Sequence, residues 1–163
     1  MSRLDSAIRR LQAQKAALED AARRVTALEG VAIEFGLGNG RTYDHLRSIL
    51  PGRRIVVFDR QVAAHPDCIP PDEDLYLGDL FETLPRALAD IGAGAVLAHL
   101  DIGTGDKAGS IALVARAAPL VAELLVAGGV VVSDQPIEGV PGLATLPLPA
   151  GIRPGRIHML VRR

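Results

Sequence analysis

Residues 31–40 read VAIEFGLGNG and residues 54–59 read RIVVFD, and these two stretches decide the fold. The first is an apolar strand that runs into a loop in which every second residue is glycine, so the backbone can turn sharply and lie close against a ligand. The second is another apolar strand, and its last residue is Asp59. In a doubly wound sheet, an acid placed roughly 20 residues beyond such glycines accepts hydrogen bonds from ribose hydroxyls. The two stretches therefore predict a nucleotide-binding fold and an adenosine-containing ligand.

The segment between the two strands has the pattern of a helix. Residues 41–50 place Tyr43, Leu46 and Ile49 on one face, and a Pro-Gly pair follows the segment. Spacing of this kind is typical of an amphipathic helix, and the Pro-Gly pair ends it. Strand, glycine loop, helix and strand together predict one βαβ unit.

The spacing of the glycines distinguishes between cofactors. A dinucleotide site needs G-x-G-x-x-G or A, because a third small residue lets the helix pack on the strand while its N-terminus meets a pyrophosphate. Here Gly36, Gly38 and Gly40 alternate, and Arg41 stands where that third small residue belongs. Glu34 would be unfavourable near a pyrophosphate and favourable near an ammonium or a sulfonium. The electrostatics favour a cationic ligand over a nicotinamide dinucleotide.

With these residues, the sequence resembles the class I S-adenosylmethionine-dependent methyltransferases. Their first motif, an acid followed by G-x-G-x-G, is matched from Glu34 to Gly40, and their ribose-binding acid is matched by Asp59. Residues 78–80, GDL, are similar to the segment that reaches the adenine, and the strand at residues 95–101 ends in an acid, as in the family. The subfamily looks like small bacterial methyltransferase-like proteins. The resemblance implies a Rossmann-like, doubly wound, mostly parallel α/β sheet, S-adenosyl-L-methionine as cofactor, and methyl transfer.

The resemblance also implies which residues hold the cofactor. Asp79 and Leu80 are expected near the adenine together with the Phe81 ring, although Asp79 could instead cap the helix that follows it. Arg60 stands where the family often has an apolar residue, and its guanidinium plane could stack on the base. The expected cofactor-binding residues are Glu34, Gly36, Gly38, Gly40, Asp59, Arg60, Asp79, Leu80 and Asp101.

Asp101 lies at the carboxyl end of the middle strand, where a ligand in an open parallel sheet is expected. It could contact the methionine part of the cofactor or the methyl acceptor, or it could cap the loop that follows. Asp101 is followed by Ile-Gly-Thr rather than by the Asn-Pro-Pro-aromatic motif of many nucleic-acid amino methyltransferases. A nucleobase amine is therefore a disfavoured acceptor.

No side chain is assigned as a catalytic base, because in-line methyl transfer depends mainly on positioning. Asp101, His99 and Asp134 are the weak candidates, with His45 near them by topology. His99 lies inside an apolar strand and is expected to be a satisfied core histidine, with a general-base role as the alternative. No metal site is indicated.

Composition indicates one domain, with a helix in residues 1–29 and an α/β core in residues 30–163. The net charge of -1 offers no broad basic field for nucleic acid or an anionic membrane. Cys68 is the single cysteine, no apolar signal core begins the chain, and no apolar run is long enough to span a bilayer. We therefore expect a cytoplasmic location, with neither nucleic acid nor membrane as a partner.

The N-terminal segment is predicted to be a helix over residues 3–28. Leu4, Leu11, Leu18 and Val25 repeat every seven residues. This stripe could lie on its own domain, or it could meet a partner subunit, because the opposite face is strongly charged. We expect a homo-oligomer in which this helix takes part.

The rest of the chain is predicted to alternate between strands and helices. The pattern predicts helices at 81–91 and 110–127, a Gly128-Gly129 helix stop, strands at 75–77, 95–102 and 129–134, and a terminal hairpin from 144–148 and 156–161. The stretch after the fifth strand is too short for the helix that the family usually carries there. No substrate-recognition insertion is evident.

Three functions follow from this sequence. The favoured one is methyl transfer to a small-molecule acceptor, in a pocket built from residues 1–30 and 103–109, to which a neighbouring subunit could also contribute. The alternative is a noncatalytic S-adenosylmethionine-binding module or partner subunit, which would keep the cofactor site without an acceptor pocket. A nicotinamide oxidoreductase is the third, and it is opposed by Glu34 and Arg41.

Overall fold

The computed structural model describes residues 2–163, in which four α-helices and seven strands form a layered α/β structure. In chain order the elements are α1 Arg3–Arg24, β1 Val31–Phe35, α2 Arg41–Ile49, β2 Ile55–Asp59, β3 Leu75–Leu77, α3 Leu80–Ile91, β4 Ala95–Leu100, α4 Lys107–Leu124, β5 Leu125–Ser133, β6 Leu143–Thr145 and β7 His158–Arg162. Two short 3-10 turns, Pro66–Cys68 and Asp72–Asp74, lie between β2 and β3.

All seven strands form one sheet in the order β3-β2-β1-β4-β5-β7-β6. The first five strands pair in parallel, whereas β7 pairs antiparallel with both β5 and β6. This arrangement confirms the predicted mostly parallel sheet with an antiparallel C-terminal pair. The strand order reverses between β1 and β4, and in open α/β sheets ligands bind at the carboxyl ends of the strands beside such a reversal.

Helices cover both faces of the sheet. Leu18 of α1 and Leu46 of α2 belong to the apolar core on one face, and Leu84 of α3 and Val121 of α4 belong to the core on the other. The central strands are therefore apolar along almost their whole length, as expected for parallel strands that are buried on both sides. The exceptions, Glu34 and His99, are treated below.

α1 begins with a capping box. The Ser2 side chain accepts from the Asp5 amide at 3.0 Å, and the Asp5 carboxylate accepts from the Ser2 amide at 2.9 Å. The helix ends at Arg24, earlier than the predicted residue 28. The Arg53 guanidinium donates to the carbonyls of Leu28 and Gly30, and these bonds hold the following segment outside the helix.

The predicted heptad of α1 divides into two halves. Leu18 and Val25 are 1% and 0% exposed, whereas Leu4 and Leu11 are 69% and 37% exposed, and Ile8 between them is 44% exposed. The C-terminal half of α1 therefore packs on its own domain, which is the first of the two interpretations of the apolar stripe. The N-terminal half leaves three large apolar side chains in solvent.

The sequence analysis predicted that the Gly128-Gly129 pair ends a helix, and this prediction is wrong. α4 ends at Leu124, and β5 begins at once with Leu125. Along β5 the pairing with β4 moves from Leu125 directly to Val130, and the two glycines lie in this irregularity. Gly128 has a φ of +82°, which explains the need for glycine there.

The stretch between β5 and β6 contains no helix, as predicted. Within residues 2–163, none of the helices combines the length and the apolar character needed to cross a membrane.

Candidate functional site

A cavity of about 450 Å³ lies beside the reversal in strand order, within the size range of small-molecule sites. It is formed by the ends of β1, β2, β3 and β4 and by α3 and α4. The lining residues are Gly36, Gly38, Phe58, Asp59, Arg60, Gly78, Asp79, Leu80, Phe81, Asp101, Ile102, Gly103, Thr104 and Leu113. Seven of the nine predicted cofactor residues are among them; Glu34 and Gly40 are not.

The three glycines after β1 are needed for different reasons. Gly36 has a φ of +93°, and a Cβ there would lie 2.3 Å from the Asp101 carbonyl oxygen. A Cβ on Gly38 would meet nothing within 4 Å, so this position leaves space in front of the loop. Gly40 is the N-cap of α2 with a φ of +88°, and its Cβ would lie 2.4 Å from Cys68 Cβ. Gly40 thus closes the turn behind the cavity, whereas the other two border it.

Asp59 holds the glycine loop in place. Its Oδ2 accepts from the amides of Leu37 at 2.8 Å and Gly38 at 3.1 Å, and its Oδ1 accepts from the amide of Arg60 at 2.6 Å. A carboxylate at the end of β2 therefore organises the loop after β1 while it borders the cavity. The sequence predicted a ribose contact for Asp59. It did not predict that Asp59 also binds the backbone of the glycine loop.

One end of the cavity is formed by the start of α3. Asp79 is the N-cap of this helix, because its Oδ1 accepts from the Phe81 amide at 2.8 Å. Its carboxylate, Leu80 and Phe81 all line the cavity. The Arg116 guanidinium lies 3.6 Å from the centre of the Phe81 ring and holds it by a cation–π contact. Capping is thus observed, and a ligand contact by Asp79 stays a prediction.

Sequence analysis missed Ile102 and Leu113, and it assigned Gly103 and Thr104 to the acceptor pocket rather than to the cofactor cavity, which all four line. Ile102, Gly103 and Thr104 follow β4, and Leu113 comes from α4. The first three could have been expected, because every loop at the carboxyl end of a parallel strand reaches the same edge. Nothing in the apolar pattern of α4 distinguishes Leu113 from the leucines of the core.

Glu34 and His99 form a fully buried pair between β1 and β4. Both side chains are 0% exposed, and His99 Nδ1 lies 2.8 Å from Glu34 Oε2. Thr42 of α2 donates its hydroxyl to the other Glu34 oxygen. Glu34 therefore contacts these two residues rather than the cavity, and His99 has no surface through which to reach a substrate.

Burial and the neighbouring Glu34 shift the pKa of His99 in opposite directions. Burial alone would lower the pKa of His99, but the charge and hydrogen bond of Glu34, helped by nearby Asp101 and Asp134, raise it above its ordinary value. The two buried side chains therefore satisfy each other, because a buried ionisable group needs a hydrogen-bonded partner.

Gln14 of α1 joins this pair to the cavity. Its Nε2 lies 3.2 Å from His99 Nε2 and donates to Asp101 Oδ2 at 3.0 Å. Gln14 is only 5% exposed, although a free glutamine is usually solvated. A polar residue on the apolar face of the helix was the signal for this contact, and sequence reasoning passed over it.

Asp134 follows the last residue of β5. Leu100 of β4 pairs with Ser133 of β5, so the residues that come next on the two parallel strands, Asp101 and Asp134, lie side by side. Burial raises the pKa of Asp134 and the charge of Asp101 adds to this, against a hydrogen bond from Gln135. Its Oδ1 is buried and has no hydrogen-bond partner within residues 2–163. Asp134 does not line the cavity itself, but its Oδ2 lies behind Gly103, which does.

Tyr43 and His45, the second of which topology suggested for the site, lie elsewhere. Tyr43 is buried in the core on the α1 face, with the Arg47 guanidinium over its ring. His45 faces α1, where its Nε2 lies 3.6 Å from Glu19 Oε1. No group of three or more metal-ligating side chains is arranged around a common point in the described residues 2–163.

The charges around the cavity favour a cation. Asp59, Asp79 and Asp101 line it, and Arg60 is the one basic residue among the lining set. Opposite charges attract over these distances, and the low polarity of a cleft strengthens the attraction. The cavity is thus suited to a ligand with an adenosine part and positive charge.

A sheet of this order, with a glycine loop after β1 and an acid at the end of β2, defines the class I S-adenosyl-L-methionine-dependent methyltransferase fold. A family model described as S-adenosyl-L-methionine methyltransferase matches residues 1–163, and the chain belongs to this family. S-adenosyl-L-methionine is its cofactor, and the chain is a methyltransferase.

Solved structures agree with this membership. An S-adenosyl-L-methionine methyl transferase from Silicibacter pomeroyi is 44% identical, with a TM-score of 0.95 over 100% of this chain and 99% of that one. No curated protein matches the chain.

More distant structures share the fold alone. A sugar N-methyltransferase from a Streptoalloteichus species is 19% identical with a TM-score of 0.54, over 83% of this chain and 55% of its own. A mitomycin 7-O-methyltransferase is 18% identical with a TM-score of 0.51, over 93% of this chain and 54% of its own. The present chain therefore corresponds to about half the length of these two enzymes.

Proposed function

We propose that this methyltransferase acts on a small-molecule acceptor and that the cavity beside the glycine loop is its cofactor site. The observation that carries the proposal is the charge of the cavity, which three carboxylates and one guanidinium line. A sulfonium with an ammonium group suits this lining, whereas a pyrophosphate does not.

The shape of the cavity supports one orientation of the cofactor. Leu80, Phe81 and Leu113 offer apolar surface to an adenine, and Asp59 offers a carboxylate to the ribose hydroxyls. Asp101 lies at the far side of the glycine loop, where it would receive the ammonium group of the amino-acid end. Arg60 and Asp79 border the adenine end in this placement.

The cofactor supplies an activated methyl group, so the protein has mainly to align the acceptor and exclude water. Asp134 is one candidate for a base, because burial raises its pKa and one of its oxygens is unpaired within residues 2–163, but it lies behind the residues that line the cavity. Asp101 is the second candidate, but in the proposed placement its carboxylate is already bound to the ammonium group of the cofactor. His99 is fully buried and has the weakest case.

The acceptor pocket would be formed by α1, by residues 103–109 and by a neighbouring subunit. The chain has no helix between β5 and β6, and it covers about half the length of the two larger methyltransferases. A net charge of -1 provides no groove for a polyanion. These features support a small acceptor within one domain, residues 1–163, with a helix in 1–29 and a core in 30–163. Nucleic acid and membranes as partners are not supported, and a cytoplasmic location stays a prediction.

Methyl transfer into a cell extract tests the proposal directly. With radiolabelled S-adenosyl-L-methionine, we expect label in the fraction that passes an ultrafiltration membrane. Label found only in RNA or in protein would contradict a small acceptor. Tight cofactor binding with no transfer to any fraction would favour the alternative, a noncatalytic binding module or partner subunit, which the missing insertion also supports.

Cofactor selectivity can be measured without an acceptor. We predict that S-adenosyl-L-methionine and S-adenosylhomocysteine bind with micromolar affinity and that NAD binds at least about 100-fold more weakly, because its pyrophosphate would face acidic residues. Isothermal titration calorimetry with the three compounds checks this. Micromolar binding of NAD together with no binding of the sulfonium compound would overturn the assigned cavity.

The exposed half of α1 supports a homo-oligomer. Leu4, Ile8 and Leu11 form an apolar stripe over successive turns, and such a stripe is normally covered. We predict that Leu4→Glu combined with Leu11→Glu lowers the assembly to a monomer and changes the melting temperature of the domain little. Light scattering over a range of concentrations measures this.

Val62→Glu is the matched control, because Val62 is similarly exposed, at 38%, but lies outside α1. This variant should keep the mass of the wild type. A wild-type protein that has the monomer mass at every concentration would reject the oligomer.

A further inference from the structure

We propose that Gln14 of α1 is a positioning residue for the amino-acid end of the cofactor and that it acts through Asp101. The inference rests on the proposed function, in which the Asp101 carboxylate receives the cofactor ammonium. It adds a task for α1, a helix that lies outside the glycine-loop motif.

The Gln14 side-chain amide makes the contacts that link α1 to Asp101. Its Nε2 carries two hydrogens, donates to Asp101 Oδ2 at 3.0 Å and lies 3.2 Å from His99 Nε2, which accepts from it when the imidazole is neutral. Within residues 2–163, no other side chain is hydrogen-bonded to the Asp101 carboxylate. The orientation of that carboxylate therefore depends on Gln14.

The buried pair behind Gln14 determines which nitrogen of His99 is free. Glu34 accepts at His99 Nδ1, so in the neutral imidazole the hydrogen is on Nδ1 and Nε2 carries the lone pair. When the imidazole is neutral, that lone pair accepts one hydrogen of the Gln14 amide, while the other hydrogen is donated to Asp101. Glu34, His99, Gln14 and Asp101 thus form one chain of bonds from the core to the cavity.

The packing of α1 keeps Gln14 from leaving this position. Ala13 and Ala17 on the same face are 4% and 0% exposed, and Gln14 itself is 5% exposed. An amide buried this far loses hydrogen bonds that no water replaces if it turns away. The Asp101 carboxylate is therefore held in one orientation before the cofactor binds, and preorganisation of this kind raises affinity.

Two nucleoside probes distinguish positioning from general support. S-adenosylhomocysteine has the amino-acid end, and 5′-methylthioadenosine has the same adenine, ribose and thioether without it. For Gln14→Met, which keeps the volume and removes the donor, we expect roughly tenfold weaker binding of S-adenosylhomocysteine by calorimetry. Binding of 5′-methylthioadenosine should stay within about twofold, because this compound does not reach Asp101.

Control variants isolate the contact. Gln12→Met makes the same change at an exposed position of the same helix and should alter neither affinity. Gln14→Glu keeps the size and polarity of the side chain but removes both donors, so it should also weaken the binding of S-adenosylhomocysteine and not that of 5′-methylthioadenosine. This variant replaces Gln14→Met in the test if the methionine variant does not fold. Asp101→Asn should likewise weaken S-adenosylhomocysteine alone, and Gln14→Met added to it should cause little further loss.

The outcomes separate the inference from the proposed function. If Asp101→Asn weakens S-adenosylhomocysteine and the Gln14 variants do not, the inference is wrong while the cofactor placement stands. If Asp101→Asn has no effect, the placement and the inference both fail. If the Gln14 variants weaken the two nucleosides equally, Gln14 supports the fold and does not position Asp101.

Discussion

Replacement of Glu34 by leucine is expected to lower the free energy of unfolding by about 3–5 kcal/mol, because it removes one partner of a fully buried pair. His99, which is fully buried, would lose its acceptor where no solvent can replace it, and the half-buried Thr42 hydroxyl would lose one as well. The volumes of glutamate and leucine are similar, so the cost comes from the unpaired polar groups rather than from a cavity. For a domain of this size the melting temperature should fall by roughly 6–20 °C.

Calorimetric or fluorescence-detected thermal unfolding measures this loss. Glu29→Leu is the matched control, since Glu29 is exposed, and it should change the melting temperature little. In Glu34→Leu combined with His99→Leu, the orphaned imidazole is also removed, so the double variant should be more stable than Glu34→Leu alone. A Glu34→Leu protein that unfolds at the wild-type temperature would show that the pair is not formed in solution.

Replacement of Asp59 by alanine is expected to weaken S-adenosylhomocysteine binding by about 1.5–3 kcal/mol, which is roughly 10- to 150-fold. Two losses add in the same direction. The ribose hydroxyls lose a charged acceptor, and the amides of Leu37 and Gly38 lose the carboxylate that holds the glycine loop. Because the loop is disordered by the same change, 5′-methylthioadenosine should weaken as well.

Calorimetry with the two nucleosides measures the effect of the Asp59 variant. Asp72→Ala removes an exposed carboxylate from the loop before β3 and should leave both affinities unchanged. A folded Asp59→Ala protein with the wild-type dissociation constants would remove Asp59 from the site.

The parts of this fold that could be predicted are those written in contiguous residues. The glycine loop and the acid at Asp59 each depend on a short stretch, and the structure brings them together within hydrogen-bond distance. The alternation of apolar strands with helical patterns likewise predicted the parallel sheet, since each element must bury its own apolar face.

The boundaries that were wrong depended on contacts with distant residues. Nothing near residues 24–28 shows that Arg53 will bind the carbonyls of Leu28 and Gly30, which follow the end of α1. The Gly128-Gly129 pair is equally suited to a helix stop and to a strand irregularity, and the pairing of β5 with β4 decides between them.

The site was predicted only in part for the same reason. The pattern of residues 31–40 is that of a cofactor motif, and it gave no sign that Glu34 would be paired with His99 from another strand. Gln14 is more than 80 positions from both of its partners. Contacts of this kind come from the packing of α1 on the sheet, and no local pattern contains them.

A crystal structure of the complex with S-adenosylhomocysteine would show whether the cofactor occupies this cavity in the proposed orientation. The account predicts the adenine between Leu80 and Leu113, the ribose hydroxyls at Asp59 and the ammonium group at Asp101. A complex in which the nucleoside lies outside this cavity, or in which the amino-acid end points to Asp79 instead of Asp101, would contradict it.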